Sequence, residues 1–137
     1  MELKVKEERT GWRDQEISTR HRSWGYDCPA LDLDFLMLEY DLGKAAALVE
    51  FKNEKAKPIH IGHPSIRALI GLADAAKIPL FLVRYASNFS WYFVTPGNAK
   101  AREFVPEPFE LSELEWIQLL YRCRGRNMPD KLASQFV

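Results

Sequence analysis

The chain has 137 residues, a length that fits one ordinary domain, and 47% of them are hydrophobic, which is enough for a core and too many for wholesale disorder. Its 19 basic and 19 acidic residues balance to a formal net charge of zero. This balance excludes a strongly basic nucleic-acid binder, so a nucleic-acid partner would need a local basic face. We expect residues 1–137 to form a single domain.

The cysteines and the apolar runs narrow the class of protein further. Cys28 and Cys123 lie far apart, without the spacing of a zinc site, so we expect two reduced thiols. The first residues lack the apolar core of a signal peptide, and no apolar run approaches the roughly 18 residues that span a bilayer. We therefore expect a soluble cytoplasmic protein without a membrane partner.

The first half of the chain predicts a short helix and then a β-hairpin. The helix covers Arg13–Arg22 and ends before a glycine. The stretch Ala30–Asp41 has apolar residues on both parities, which is typical of a strand buried on both faces. A turn of about three residues leads to a second strand, Lys44–Lys52, so we expect Tyr40 to pair with Lys44 where the hairpin closes.

The second half of the chain alternates between helices and strands. Apolar residues at spacings of three and four predict a helix from Pro64 to about Lys77. Ser112 and Glu115 form a capping box that begins a closing helix. Strands are predicted at Leu80–Tyr85, at Trp91–Thr95 and, along the sheet edge, at Ala101–Val105. This order of elements predicts an α/β sandwich around a small mixed sheet.

Charged residues near the open end of the predicted hairpin fall on one face of the sheet. The assumed closing pair places Asp34 opposite Glu50 and Asp32 opposite Lys52, with roughly 5 Å between directly opposed Cβ atoms. Two carboxylates at that distance repel each other unless a cation lies between them, and the same spacing lets both bind one Mg²⁺. A slip of one residue would place Phe35 opposite Glu50 and remove this arrangement.

Lys52 adds a third chemical group to the two carboxylates. It lies about 7 Å along the strand from Glu50, on the same face. An ammonium there can hold a water and stabilise the charge that builds on phosphorus, so the three groups suit metal-assisted hydrolysis of a phosphodiester. The competing interpretation is a surface hairpin with pairs such as Asp32–Lys52, each worth about 0–1 kcal/mol. That interpretation does not explain why Asp34 faces Glu50.

Asp34 and the segment Glu50-Phe51-Lys52 resemble the PD-(D/E)xK nuclease superfamily, since they lie on successive strands after a first helix and before a helix and strand. The superfamily includes restriction endonucleases, Holliday-junction resolvases and small phage and repair nucleases. The resemblance implies a restriction endonuclease-like α/β/α sandwich with a small mixed central sheet. It also implies that Asp34 and Glu50 bind Mg²⁺ or Mn²⁺, that the Phe51 carbonyl is a third ligand, and that Lys52 positions the attacking water.

The same resemblance indicates possible site roles for two further acidic residues. Members of the superfamily often carry an acidic residue on the first helix, and Glu16 matches that catalytic position. The Pro-Asp pair of the superfamily is missing, because Pro29 is followed by Ala30. Asp32 is therefore an alternative metal ligand to Asp34, which we prefer for its predicted place in the hairpin.

Basic residues near the first helix and after the second strand predict contacts to nucleic-acid phosphates. They are Arg13, Arg20, His21, Arg22, Lys55 and Lys57. The resemblance implies a Mg²⁺-dependent deoxyribonuclease that acts on DNA, and the chemistry alone would also suit RNA. At this length we expect recognition of nucleic-acid structure or ends, help from a partner, or a homodimer with two sites for two strands. The alternative is a nuclease-like module that binds nucleic acid or protein without cutting.

Overall fold

The computed structural model describes residues 15–136. The chain divides into two compact units, Met1–Asp32 and Leu33–Val137, which are described separately below. The single domain expected for residues 1–137 therefore stays a prediction. No helix within the described range is long and apolar enough to cross a membrane.

In the N-terminal unit, the described residues form one helix and a run of turns. Helix α1 spans Gln15–Arg22 and lies within the predicted helix, whereas Arg13 falls outside the described residues. His21 Nε2 donates a hydrogen bond of 2.7 Å to the carbonyl oxygen of Cys28. The His21 ring also contacts Trp24, with 4.9 Å between the ring centroids. These contacts hold the turns against the last turn of the helix.

The second unit is built on a mixed five-stranded sheet, which confirms the predicted α/β class. The strands lie side by side in chain order. They are β1 (Phe35–Glu39), β2 (Lys44–Asn53), β3 (Leu80–Tyr85), β4 (Tyr92–Pro96) and β5 (Phe109–Leu111). The pair β2–β3 is parallel and the other three pairs are antiparallel.

Helices cover both faces of this sheet. Helix α2 (Pro64–Ala76) packs on β2 and β3, and α4 (Glu113–Cys123) packs on β2 and β5. The short helix α3 (Ala99–Arg102) packs on β3 and β4. Alternate residues of β2 enter two separate cores, because successive side chains of a strand point to opposite faces. Leu48 joins the core under α2, while Ala47 and Val49 join the core that includes Trp116 of α4. The helices are α2 (Pro64–Ala76), α3 (Ala99–Arg102), α4 (Glu113–Cys123) and α5 (Asp130–Ala133).

The starts of helices α2 and α4 follow the predicted ones, and their caps explain why. Helix α2 begins at Pro64, and the His63 Nδ1 atom accepts the backbone N–H of Ser65 over 3.1 Å. The capping box at the start of α4 is confirmed, with Ser112 and Glu115 each accepting the backbone N–H of the other. These side chains satisfy N–H groups that a helix start leaves without partners.

The hairpin register near the predicted site is confirmed. Phe35 pairs with Val49, the last pair at the open end of the β1–β2 ladder. Phe35 therefore does not slip to a place opposite Glu50. Asp34 lies in a bend just before β1, outside the ladder, and its side chain accepts the Phe51 N–H. Its predicted place directly opposite Glu50 stays a prediction.

At the closed end of the hairpin the predicted pairing is wrong by one residue. Glu39, rather than Tyr40, pairs with Lys44. Tyr40 instead begins a short 3-10 turn that ends at Gly43, whose φ of +60° is readily adopted by glycine. A β-bulge leaves Ala46 without a partner on β1 and restores the predicted register beyond it.

The prediction for the first strand is wrong in length and in burial. The strand covers Phe35–Glu39 instead of Ala30–Asp41. Its side chains at Phe35, Leu36 and Leu38 are 54%, 44% and 45% exposed. These side chains are exposed because β1 lies at an edge of the described sheet, whereas α2 and α4 pack on the neighbouring strand β2.

The predicted edge strand Ala101–Val105 is also wrong. The structure has helix α3 at Ala99–Arg102, and Asn98 caps it by accepting the backbone N–H of Ala101 over 2.9 Å. Asparagine is among the residues that most favour a helix start, and here its signal outweighs the apolar pattern. The edge strand is instead β5, Phe109–Leu111.

The two cysteines are unbridged, as predicted. Cys28 is exposed in the N-terminal unit, and Cys123 is partly buried at the end of α4. Burial raises the pKa of the Cys123 thiol to about 11, and the nearby Arg122 charge offsets part of that rise. A thiol with so high a pKa is a poor nucleophile at neutral pH.

Candidate active site

The candidate site lies where β2 leaves the core. Residues Ala46–Val49 are buried, Glu50 and Phe51 are half-buried, and Lys52 is exposed. Glu50 and Lys52 share the sheet face of Leu48, on the side of helix α2, because alternate residues of a strand point the same way. The strand thus places a half-buried carboxylate and an exposed ammonium on one face at the edge of the core.

Asp34 contacts β2 directly across the open end of the hairpin. Its Oδ2 atom accepts a hydrogen bond of 3.0 Å from the backbone N–H of Phe51. Burial raises the pKa of Glu50, the Asp34 carboxylate raises it further, and the Lys52 ammonium lowers it. Asp34, Glu50 and Lys52 therefore interact electrostatically within one small region.

Phe51 anchors this region from the opposite face of the sheet. Its ring makes edge-to-face contacts with Phe35, Tyr85 and Trp116, at centroid distances of 5.2, 6.0 and 5.9 Å. Such pairs add to the stabilisation that burial provides. The N–H and the carbonyl of one strand residue point to the same edge, so the Phe51 carbonyl points toward the side of Asp34. The aromatic cluster thereby fixes the backbone that Asp34 contacts.

The groups present fit a magnesium ion that keeps part of its water shell. Within residues 15–136 no group of three or more His, Cys, Asp or Glu side chains could hold a metal ion. The candidate donors are the carboxylates of Asp34 and Glu50 and the carbonyl of Phe51. Mg²⁺ prefers oxygen ligands and is usually bound through one or two carboxylates, with waters and substrate phosphates completing its shell. An incomplete protein cage of this kind suits that preference.

The loop after β2 presents two of the predicted basic residues beside the site. Lys55 and Lys57 are both exposed. Arg84 on β3 donates hydrogen bonds to the carbonyl oxygens of Glu54 and, over 3.1 Å, of Ala56. These bonds hold the loop against the sheet, so the two lysines follow the site on an anchored segment.

The remaining predicted residues lie in the N-terminal unit. They are Glu16, Arg20, His21 and Arg22 on helix α1 and Asp32 at the end of the unit. Asp32 lines an open cavity of about 660 Å³ in this unit, together with His21 and Arg22. The catalytic role of Glu16, the ligand role of Asp32 and the phosphate contacts of the basic residues stay predictions.

Two residues that the sequence did not single out extend the site. Arg84 is the partner of Lys52 in the parallel β2–β3 ladder, and Phe93 is the partner of Arg84 in the β3–β4 ladder. Both line a cavity of about 200 Å³, here called the β3–β4 cavity, to which Lys52 also contributes. One sequence signal could have indicated Arg84, since it is the single charged residue in the apolar strand Leu80–Tyr85.

Comparison with known proteins identifies no relative of this chain. The chain matches no protein-family model, no curated protein and no solved structure. The resemblance based on Asp34 and Glu50-Phe51-Lys52 therefore stays a prediction. The chemistry proposed below depends on the geometry of these residues.

Proposed function

We propose that this protein is a metal-dependent nuclease that hydrolyses DNA phosphodiester bonds, with a fold of the restriction endonuclease-like type. The observation that carries the proposal is the hydrogen bond from the Phe51 N–H to Asp34, which brings the Asp34 carboxylate close enough to raise the pKa of Glu50 beside Lys52. Neighbouring carboxylates weaken an ordinary surface hairpin, whereas a site for a divalent cation uses them. The order of hairpin, crossover helix and parallel strand agrees with what the resemblance implies.

Each group of the chain has its own part in the proposed reaction. Asp34, Glu50 and the Phe51 carbonyl would hold Mg²⁺, for which Mn²⁺ can substitute. The bound ion would polarise the phosphate and lower the pKa of a water. The Lys52 ammonium would hold the attacking water by a hydrogen bond and balance the negative charge that develops around phosphorus.

The basic residues beside the site support a nucleic acid as the substrate class, and the resemblance implies that it is DNA. Lys55 and Lys57 lie on the loop that Arg84 holds, and we expect them to contact phosphates next to the one that is cut. Contacts of this kind release counterions, so binding should weaken as salt rises. A homodimer would offer two such sites for the two strands of a duplex.

A cleavage assay tests the proposal. Single-stranded, duplex and branched DNA, and matched RNA, are incubated with Mg²⁺, with Mn²⁺ or with EDTA. Wild type should cut DNA only with metal, and Lys52→Ala should lose about a hundredfold or more in rate, as expected when a group that stabilises the transition state is removed. Lys44→Ala is the matched control, because Lys44 is an exposed lysine at the other end of the same strand.

The results separate the catalytic assignment from its rivals. Equal rates for wild type and Lys52→Ala would refute the role of Lys52. Faster cutting of RNA than of DNA would replace the substrate class. Metal-dependent cleavage that survives Glu50→Gln would place the metal elsewhere.

The second candidate is a binding module with a nuclease-like fold and no cutting activity. Two features of the sequence favour it, namely the neutral net charge and the missing Pro-Asp pair of the superfamily. Such a module would bind DNA equally well in EDTA and in Mg²⁺ and would leave every substrate intact.

A further inference from the structure

The β3–β4 cavity lies on the sheet face that carries Glu50 and Lys52. Its floor comes from β3 and β4, where Leu82 is buried and Phe93 is 40% exposed. The loop that leads into helix α2 covers it with apolar side chains such as Ile61. Lys52 and Arg84 lie at its charged side. The cavity thus has apolar walls, an accessible aromatic ring and two cationic side chains.

The cavity is close to the carboxylate pair. Leu82 is the ladder partner of Glu50, and Arg84 is the ladder partner of Lys52. Neighbouring strands are about 4.8 Å apart, so the cavity floor begins one strand away from Glu50. A group in the cavity and a phosphate at the carboxylates can therefore belong to one nucleotide or to adjacent nucleotides.

We propose that the β3–β4 cavity binds one unpaired base of a DNA strand whose phosphate lies at the site of Asp34, Glu50 and Lys52. A base is flat and apolar on its faces, which suits the exposed Phe93 ring and the aliphatic walls. The phosphates on either side of that base carry the negative charge that Lys52, Lys55 and Lys57 complement. Bases of an intact duplex are stacked and cannot enter a pocket without leaving the helix.

The proposal deepens the proposed function and rests on it, because it names the substrate as single-stranded, frayed or branched DNA. Stacking of one base on an aromatic side chain contributes about 1–3 kcal/mol in nucleic-acid complexes, which corresponds to roughly fivefold to somewhat over a hundredfold in affinity. The protein should therefore bind a single strand more tightly than a duplex of the same sequence, and Phe93 should account for the difference.

The experiment measures binding without cleavage. A short single-stranded DNA that carries the fluorescent base 2-aminopurine, and its blunt duplex, are titrated in EDTA with wild type, Phe93→Ala and Phe93→Leu. Both variants should bind the single strand about tenfold more weakly, lose part of the 2-aminopurine quenching and bind the duplex as wild type does. Phe109→Ala is the matched control, because Phe109 is an exposed phenylalanine on the neighbouring strand and outside this cavity.

The outcomes distinguish this proposal from the proposed function. Unchanged binding of the single strand, or an equal loss for single strand and duplex, would overturn the base pocket even in an enzyme that cuts DNA. A protein that never cuts DNA but shows the Phe93-dependent preference would retain the pocket and lose the nuclease. Circular dichroism shows whether each variant is folded, and the leucine variant keeps an apolar side chain at this exposed position.

Discussion

Replacing Asp34 by asparagine should stabilise the protein when no metal is present. The amide oxygen can still accept the Phe51 N–H, while the charge that opposes Glu50 disappears. With the roughly 5 Å that separates directly opposed strand residues taken as the distance between the two charges, they repel by about 0.8 kcal/mol in water and by about 3 kcal/mol at an effective dielectric constant of 20. Asp34 is exposed, so screening by solvent favours the lower part of this range. We use about 1.5 kcal/mol for the repulsion between the two carboxylates.

The weaker hydrogen bond of a neutral acceptor offsets part of this gain. At an exposed position the loss is about 0.5 kcal/mol. The free energy of unfolding of Asp34→Asn should therefore exceed that of wild type by about 1 kcal/mol, equivalent to about 4 °C in Tm for a chain of this size. Urea denaturation in EDTA at about pH 8, followed by tryptophan fluorescence, to which the buried Trp116 contributes, measures it.

The sign of the pH dependence provides a second check. The pKa of Glu50 is raised in the folded state, so wild type loses stability from this group as pH rises from the unfolded pKa through the folded pKa. The advantage of Asp34→Asn should appear over that interval and vanish below it. Glu110→Gln controls for charge removal, since Glu110 is exposed on β5 and pairs with Phe93.

Two results would refute this reasoning about the carboxylate pair. One is an Asp34→Asn variant that is less stable than wild type at about pH 8 in EDTA. The other is a stability difference that stays constant with pH. Under the proposed function Mg²⁺ should reverse the order, because metal at 100 times its Kd adds about 2.7 kcal/mol to wild type and far less to the variant.

Two further predictions concern the frame that supports the site. Gly97→Ala should lower the free energy of unfolding by about 1–3 kcal/mol, because a Cβ atom there would lie 2.8 Å from Cγ of the buried Leu80. Gly71 lies on helix α2 with open space around it, so Gly71→Ala should instead raise the free energy of unfolding by about 0.5–1 kcal/mol in the same urea assay. Hydrogen bonds from Arg126 lower the pKa of Glu39 despite its burial, so their contribution is present above the unfolded pKa and is lost as pH falls through the folded pKa. Arg126→Ala should therefore be less stable at neutral pH and show a shallower loss of Tm on acidification, and an unchanged pH profile would contradict the ion pair.

Local sequence signals predicted the parts of the fold that local chemistry decides. Pro64 marks the start of α2, and the capping box of Ser112 and Glu115 marks the start of α4. The pairing of Phe35 with Val49 was also predicted, although two errors contributed to it. The turn was placed one residue late, and the bulge that compensates for this shift was not foreseen. A bulge depends on how two strands twist together, which the sequence of either strand does not show.

The remaining differences depend on tertiary position. The apolar pattern of β1 could not reveal that the strand lies at an edge of the described sheet, where Leu36 and Leu38 stay exposed. Arg84 and Phe93 become neighbours only through the register of β3 and β4. The pattern of the two strands was enough to predict that Asp34 lies near Glu50, whereas the β3–β4 cavity could be recognised only in the folded sheet.

The unpaired Ala46 separates the tip of the hairpin from its open end. The ladder toward Asp34 is set by pairs beyond the bulge, such as Phe35 with Val49. Leu42 at the tip is exposed. An inserted peptide there would leave the carboxylate spacing unchanged, so the tip is a suitable place to graft a fluorescent label that would report on assembly or on movement along DNA.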